Sequence, residues 1–256
     1  MKEKIRKVLL FICACVFVYS AYQLTSIFFE YNKIDKDTEN LVGEFVEEVV
    51  NNEPQKEEKE EPKKIDPLER VVKFDSLLKR NSDVVGWIYI PDTNIDEPLV
   101  KGENNDSYLH MTVNKNKSIA GSIFIEETNN RNLEDSNTII YGHNIKNGAR
   151  FHNLQYYVKK DYYDDHPFVY IYLPDGTVNV YEVFASDLIS AYSDFYDTHV
   201  DYKSFVKSVQ KGASQKTTVS DEASPLIMLS TCYNSTSENR YVVFARLKEN
   251  VKVNLP

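Results

Sequence analysis

Three things are scarce in this chain, and each scarcity excludes something. Basic charge is scarce: 30 lysines and arginines face 39 aspartates and glutamates, a formal net charge of −9. A protein that wraps nucleic acid needs a basic face to displace counterions. No such patch appears beyond the extreme N-terminus, so nucleic acid is not an expected partner. Metal-ligand spacing is also missing. His110, His152, His166 and His199 have no companion ligands at zinc-type intervals. None of them is set in a pattern that would make it a ligand, so they read as ordinary packing or surface residues, and neither a metal nor a cofactor is expected. Cysteine is the third scarcity, with three in 256 residues. Cys13 and Cys15 fall inside an apolar N-terminal run, where they read as apolar filler. Cys232 is therefore alone in the rest of the chain, where an internal disulfide has no second partner. It is either a small buried core residue or a reactive thiol.

What is present begins with that N-terminal run. Lys2, Lys4, Arg6 and Lys7 precede a segment over 8–29 that is apolar except at Tyr19, Ser20, Tyr22, Gln23, Thr25 and Ser26. A bilayer core takes about 20 apolar residues in helical form. Basic residues ahead of such a run hold that end in the cytoplasm. The expectation is a single-pass anchor with an extracellular remainder. The rival is a cleaved signal peptide, for which Ser20-Ala21-Tyr22 is only loosely site-like and the run is long.

After the anchor, Leu41, Val42, Phe45, Val46, Val49 and Val50 recur at helical spacing among acidic residues, an amphipathic helix. The stretch 51–64, NNEPQKEEKEEPKK, has no large apolar residue and reads as a solvated tether. The expected domains are a membrane anchor over 1–30, the amphipathic stretch and tether over 31–65, and a folded domain over 66–256.

In that domain Asp66 caps an expected helix with Pro67 at its first position and Glu69 reaching back. Apolar runs of strand length follow at 84–90, 95–100, 119–125, 138–141, 168–173, 178–189, 226–230 and 241–247, many separated by turn formers such as Pro174-Asp175-Gly176. About eight strands at this spacing predict a mainly β domain, a closed barrel or a sandwich. Helices are expected over 149–158 and, behind a capping Asp201, over 201–211.

Three strand ends carry chemistry. The run 226–229 ends in Ser230-Thr231-Cys232, which would hold a thiol rigidly at the surface. Arg240 opens the next apolar strand, and a guanidinium beside the thiol would favour thiolate and stabilise an oxyanion. Ile139-Ile140-Tyr141 ends in Gly142-His143, and cysteine acyl transfer needs an imidazole to manage protons. Taken singly, a strand-end histidine is more often structural and a rim arginine solvated; the conjunction of three such ends is what raises the chemistry.

YGHN at 141–144, LSTC at 229–232 and the arginine before YVVFARL at 241–247 resemble, in order, the His, Cys and Arg motifs of sortases. The resemblance runs from about residue 66 to 253, with Met228 where threonine is usual. The N-terminal helix, GSIFIE at 121–126, Phe151-His152-Asn153-Leu154 and the insertion between Ile189 and Pro225 resemble class B; pilus-polymerising class C members usually have a lid segment and a C-terminal membrane helix, and no such helix is expected here. The resemblance implies an eight-stranded sortase β-barrel with an N-terminal helix and a helix inserted before the cysteine strand. It implies a Gram-positive cell-surface transpeptidase with Cys232 as nucleophile, His143 as its acid–base partner and Arg240 as anion stabiliser. The implied partners are surface proteins with a C-terminal sorting signal, NPQTN-like or PxTG-like, and an amine of the peptidoglycan cross-bridge or its lipid-linked precursor. Alignment with class B implies a substrate groove lined by Val100, Phe195, Tyr196 and Ser230, with Thr231 next to the thiol.

Other cysteine enzymes fit less well. Papain-like and NlpC/P60-like hydrolases place cysteine before histidine, and L,D-transpeptidases resemble SxGCR around the thiol, unlike STCYN here. A pilin-polymerising sortase and an inactive surface binding module are the remaining alternatives.

Overall fold

The structure is a computed structural model that describes residues 2–48, 66–232 and 238–253. The chain divides into two units, Met1–Asn40 and Leu41–Pro256. Helix α1, Lys2–Phe45, fills the first unit and ends in the second. Its apolar part is long and apolar enough to cross a membrane and buries nothing. The expected tether over 51–64 lies outside the described residues.

The second unit is a barrel, which decides between the two β architectures. Eight strands close on themselves: β3 (Val84–Tyr89), β4 (Asp96–Val100), β5 (Ile123–Ile125), β6 (Asn137–Tyr141), β7 (Phe168–Tyr172), β8 (Thr177–Ser190), β10 (Leu226–Cys232) and β11 (Asn239–Lys252). Around the barrel the order is β3-β4-β5-β6-β10-β11-β8-β7, and β7 pairs back onto β3. Closure leaves no open edge on these eight. Two pairs are parallel, β4 with β5 and β6 with β10; the others are antiparallel. A two-residue strand β9, Gln215–Lys216, adds to the outside of β8.

Alternation along the strands sorts the side chains into three cores. Ile88, Leu99, Ile123, Ile140, Ile171, Leu229 and Val243 fill the barrel interior. Outside, Val84, Trp87, Val100, Phe124 and Tyr172 meet Phe74 and Leu77 of helix α2, Phe74–Arg80. On another outer face Ile139, Met228, Val242 and Phe244 are covered by Tyr202, Phe205, Val206 and Val209 of helix α4, Tyr202–Gly212. Asp201 caps α4 by accepting from the Ser204 amide, as its sequence predicts.

Local patterns that read as helix are reshaped by pairing elsewhere. The amphipathic helix expected through residue 50 stops at Phe45, and Val46–Glu48 becomes strand β1, antiparallel to β2, Arg70–Val72. That pairing also displaces the helix expected from Asp66. Asp66 does cap, accepting from the Leu68 amide, but the turn is a short 3-10 piece, Pro67–Glu69, and helix resumes only at Phe74. The expected helix over 149–158 is a 3-10 segment, His152–Tyr156, followed by the short helix α3, Lys160–Asp165.

Leu41 and Phe45 are buried in the cluster around Trp87, the Phe45 carbonyl accepts from the Lys73 amide at 2.8 Å, and Arg80 pairs with Glu44. These residues are part of the folded domain rather than a spacer. Phe45→Ala in the full chain is expected to lower domain stability by about 3–5 kcal/mol, the range for a buried phenylalanine. Denaturant unfolding in detergent checks this, and a loss below about 1 kcal/mol would exclude the packing role.

Candidate active site

The register of three neighbouring strands assembles the site. In the parallel pair, Ser230 of β10 stands opposite Tyr141 of β6. The Gly142 amide extends this pairing by donating to the Ser230 carbonyl at 3.2 Å. Counting on from Tyr141 and Ser230 brings His143 level with Cys232. In the antiparallel pair on the other side, Cys232 is the register partner of Arg240. Adjacent strands lie about 4.8 Å apart, so residues 143, 232 and 240 end three adjacent strands at one rim of the barrel.

The turn at His143 is held tightly. A Cβ on Gly142 would lie 2.8 Å from the Phe151 ring, so only glycine lets that fully buried ring pack there. The Phe151 amide donates to the His143 carbonyl at 3.0 Å. The half-buried imidazole is oriented by its Nε2, which donates to the Leu109 carbonyl at 2.7 Å. With the proton on Nε2, a neutral His143 presents Nδ1 as a base. Its pKa is lowered below the usual 6.5, first by burial and then by His110 and Arg150; the Leu109 carbonyl opposes this. His110 stacks on His143 with ring centroids 5.7 Å apart.

Arg240 is partly exposed, and one of its guanidinium nitrogens donates to the Asn239 carbonyl at 3.0 Å. Ser230 is buried and its hydroxyl bonds Tyr196 Oη at 2.7 Å. Tyr196 lies parallel to Tyr141, centroids 6.3 Å apart, so this wall of the site comes from the insertion after β8. Tyr141 donates to Glu126, and burial together with that carboxylate pushes its own pKa far up, keeping the phenol protonated.

The other expected groove residues divide. Phe195 is anchored edge-on to Phe205 and Phe244, a packing position. Val100 is wholly buried in the outer core, opposite Phe124. Thr231 is also buried, and its hydroxyl has no hydrogen-bond partner among the described residues. Tyr141, Glu126, His110 and the Leu109 carbonyl were not singled out from the sequence. Tyr141 was within reach, being the aromatic immediately before the Gly-His turn. A backbone carbonyl 34 residues away leaves no sequence signal.

The sortase domain profile matches residues 88–248. This chain belongs to the sortase family. It is 37% identical over 164 residues to sortase B of Listeria monocytogenes, covering 61% of this chain and 65% of that one, a little under two-thirds of the relative's length. Sortase B of Staphylococcus aureus is 30% identical over 187 residues, covering 68% and 74%. The solved structure of Clostridium perfringens sortase B superposes with a TM-score of 0.64 at 30% identity, covering 69% of this chain and all of that one. The relatives are sortase B proteins, as the class B resemblance implies, and the barrel is the sortase barrel.

Because His143 has a depressed pKa, the unfolded chain binds more protons there once pH falls to about 6.5. His143 therefore contributes stability above 6.5 that is lost on acidification. His143→Gln is expected to flatten the decline of Tm below pH 6.5; an unchanged slope would show that burial does not discriminate against the charged imidazole.

Proposed function

We propose that the chain is a membrane-anchored cysteine transpeptidase of the sortase B type. The observation that carries this reading is the shared rim position of residues 143, 232 and 240, on adjacent strands of a sortase barrel. His143 Nδ1 takes the Cys232 thiol proton as sulfur attacks the carbonyl carbon of a threonine in a sorting signal. The C–S bond forms and the carbonyl oxygen becomes an oxyanion, which Arg240 stabilises with a charge-assisted hydrogen bond. When the intermediate collapses, the C–N bond breaks and His143 returns the proton to the leaving amine. A second amine then attacks the thioester, gives its proton to His143, and releases Cys232 as thiolate.

Ser230, Thr231 and Tyr196 flank the acyl position, and the apolar part of α1 supplies a membrane anchor that leaves the barrel outside the cell. The amine is a cell-wall cross-bridge group or its lipid-linked precursor. Two similar structures support these partners: a Staphylococcus aureus sortase B–substrate complex and a sortase B complexed with triglycine. A second acceptor class, a pilin lysine, is favoured by the likeness to a Streptococcus pyogenes class B sortase involved in pilus biogenesis, TM-score 0.64 and 27% identity.

The test incubates the full chain in detergent with quenched NPQTN, LPxTG and SPxTG peptides, supplying triglycine or a pilin-type lysine peptide. Cleavage after threonine with transfer to one amine is expected. Loss of about 10³-fold or more is expected in Cys232→Ala and His143→Ala, and about 10²–10³-fold in Arg240→Ala. Activity surviving in Cys232→Ala would overturn the mechanism. The acid limb of kcat/KM is expected to lie below pH 6.5, since the base works only when neutral; a midpoint above 6.5 would remove His143 from that role.

A further inference from the structure

A buried ion pair stands behind the imidazole. Arg150 and Glu97 expose 4% and 3% of their surface, and the guanidinium pairs with Glu97 Oε2. The other carboxylate oxygen, Oε1, is buried with no hydrogen-bond partner among the described residues. A buried pair of this kind is a poor way to gain stability, because apolar replacements of both partners are often neutral or better. What the pair touches gives it another use.

Arg150 donates from Nε and Nη2 to the Gly121 carbonyl, at 3.0 and 2.8 Å. Gly121 has φ +54, and a Cβ there would lie 2.4 Å from the Leu109 carbonyl oxygen and 2.5 Å from that of Tyr108. The Ser122 amide donates to the Tyr108 carbonyl at 3.0 Å. One guanidinium thus pins the segment whose Leu109 carbonyl accepts the hydrogen bond from His143 Nε2. Its backbone pins the other side: Arg150 bridges to Asn144, and the next amide, that of Phe151, donates to the His143 carbonyl. Contacts therefore run in a closed circuit from His143 through Leu109, Gly121 and Arg150 back to His143.

We propose that Arg150, held by Glu97, is a positioning residue that fixes the His143 imidazole in its Nε2–H tautomer by clamping the imidazole's own turn to the loop that accepts its hydrogen bond. This rests on the proposed role of His143 as the base. The groups facing the imidazole are His110, Arg150 and the Leu109 carbonyl, with Cys232 and Arg240 at the neighbouring strand ends.

The test uses the full chain in detergent, labelled with 15N at its five histidines, with the His143 signal assigned through His143→Gln. Arg150→Met/Glu97→Leu removes both buried charges, and Arg150→Lys keeps the charge but loses the two-pronged grip on Gly121. Wild type is expected to show a single Nε2–H tautomer. The double variant is expected to show mixed tautomers, a higher His143 midpoint, and kcat reduced about 10–100-fold with KM within about twofold. Arg150→Lys is expected to keep the lowered midpoint, mix the tautomers and lose less kcat. A folded double variant with one tautomer and wild-type kcat would overturn the proposal. If the double variant does not fold, a wild-type tautomer in Arg150→Lys overturns it instead. A wild-type chain that cleaves no peptide counts against the proposed function alone, because the tautomer readout needs no turnover.

Discussion

The parallel pairing of β6 with β10 is the contact on which the rest depends. β10 alone would present a cysteine at a strand end, and its antiparallel neighbour β11 brings an arginine opposite it. A histidine reaches the same rim only because β6 runs in the same direction and ends level with β10, Tyr141 against Ser230. Parallel neighbours need a long crossover. Here the chain leaves His143, travels through β7, β8 and α4, and returns to start β10 at the far rim. The large separation of His143 from Cys232 in sequence is a consequence of that topology.

Slippage would be costly, and packing on both faces prevents it. Ile140 and Leu229 point into the barrel, while Ile139 and Met228 point out under α4. A one-residue shift of either strand would exchange these sets and place the polar Asn137, Thr138 or Ser230 where apolar groups belong. The register of the site therefore rests on the two apolar cores that flank it.

Much of this was legible in the sequence, and the boundary of legibility follows a physical line. Each of the eight strands overlaps a predicted apolar run, because half-buried and fully buried strands both leave local patterns, although only Ile123–Ile125 of the run over 119–125 is strand and β11 continues to Lys252. Residues 143, 232 and 240 could be picked out because each sits where an apolar run meets polar or small residues. The choice between barrel and sandwich was not in the residues, since closure is a matter of which strands pair; the likeness of the motifs to sortases supplied it. Long-range pairing also misled the local reading. The apolar face expected to continue the helix after Phe45 pairs as a strand with Arg70–Val72, taking the backbone groups that the expected Asp66 helix would have used. Glu97 carried a faint signal, a carboxylate in a strand whose neighbours Pro98, Leu99 and Val100 are buried. Its partner Arg150 is 53 residues away in a loop, and nothing local names it.

Tyr141 shows why the rim is stiff without being sealed. It packs against both outer cores, the one closed by α2 and the last turn of α1 and the one closed by α4. Its ring meets Phe124 on one side and Tyr196 on the other, centroids 5.5 and 6.3 Å away, and its hydroxyl is held by Glu126. A phenol kept protonated by burial and by that carboxylate is a donor that does not switch with pH. Glu126 is in turn tied to the Asn105 side chain at 2.9 Å, so the joint reaches back into the loop that leads to Leu109. The strand end before His143 is therefore fixed from three directions. Among the described residues the imidazole itself makes one hydrogen bond and stacks on one ring, both on the side of the loop that carries Leu109 and His110.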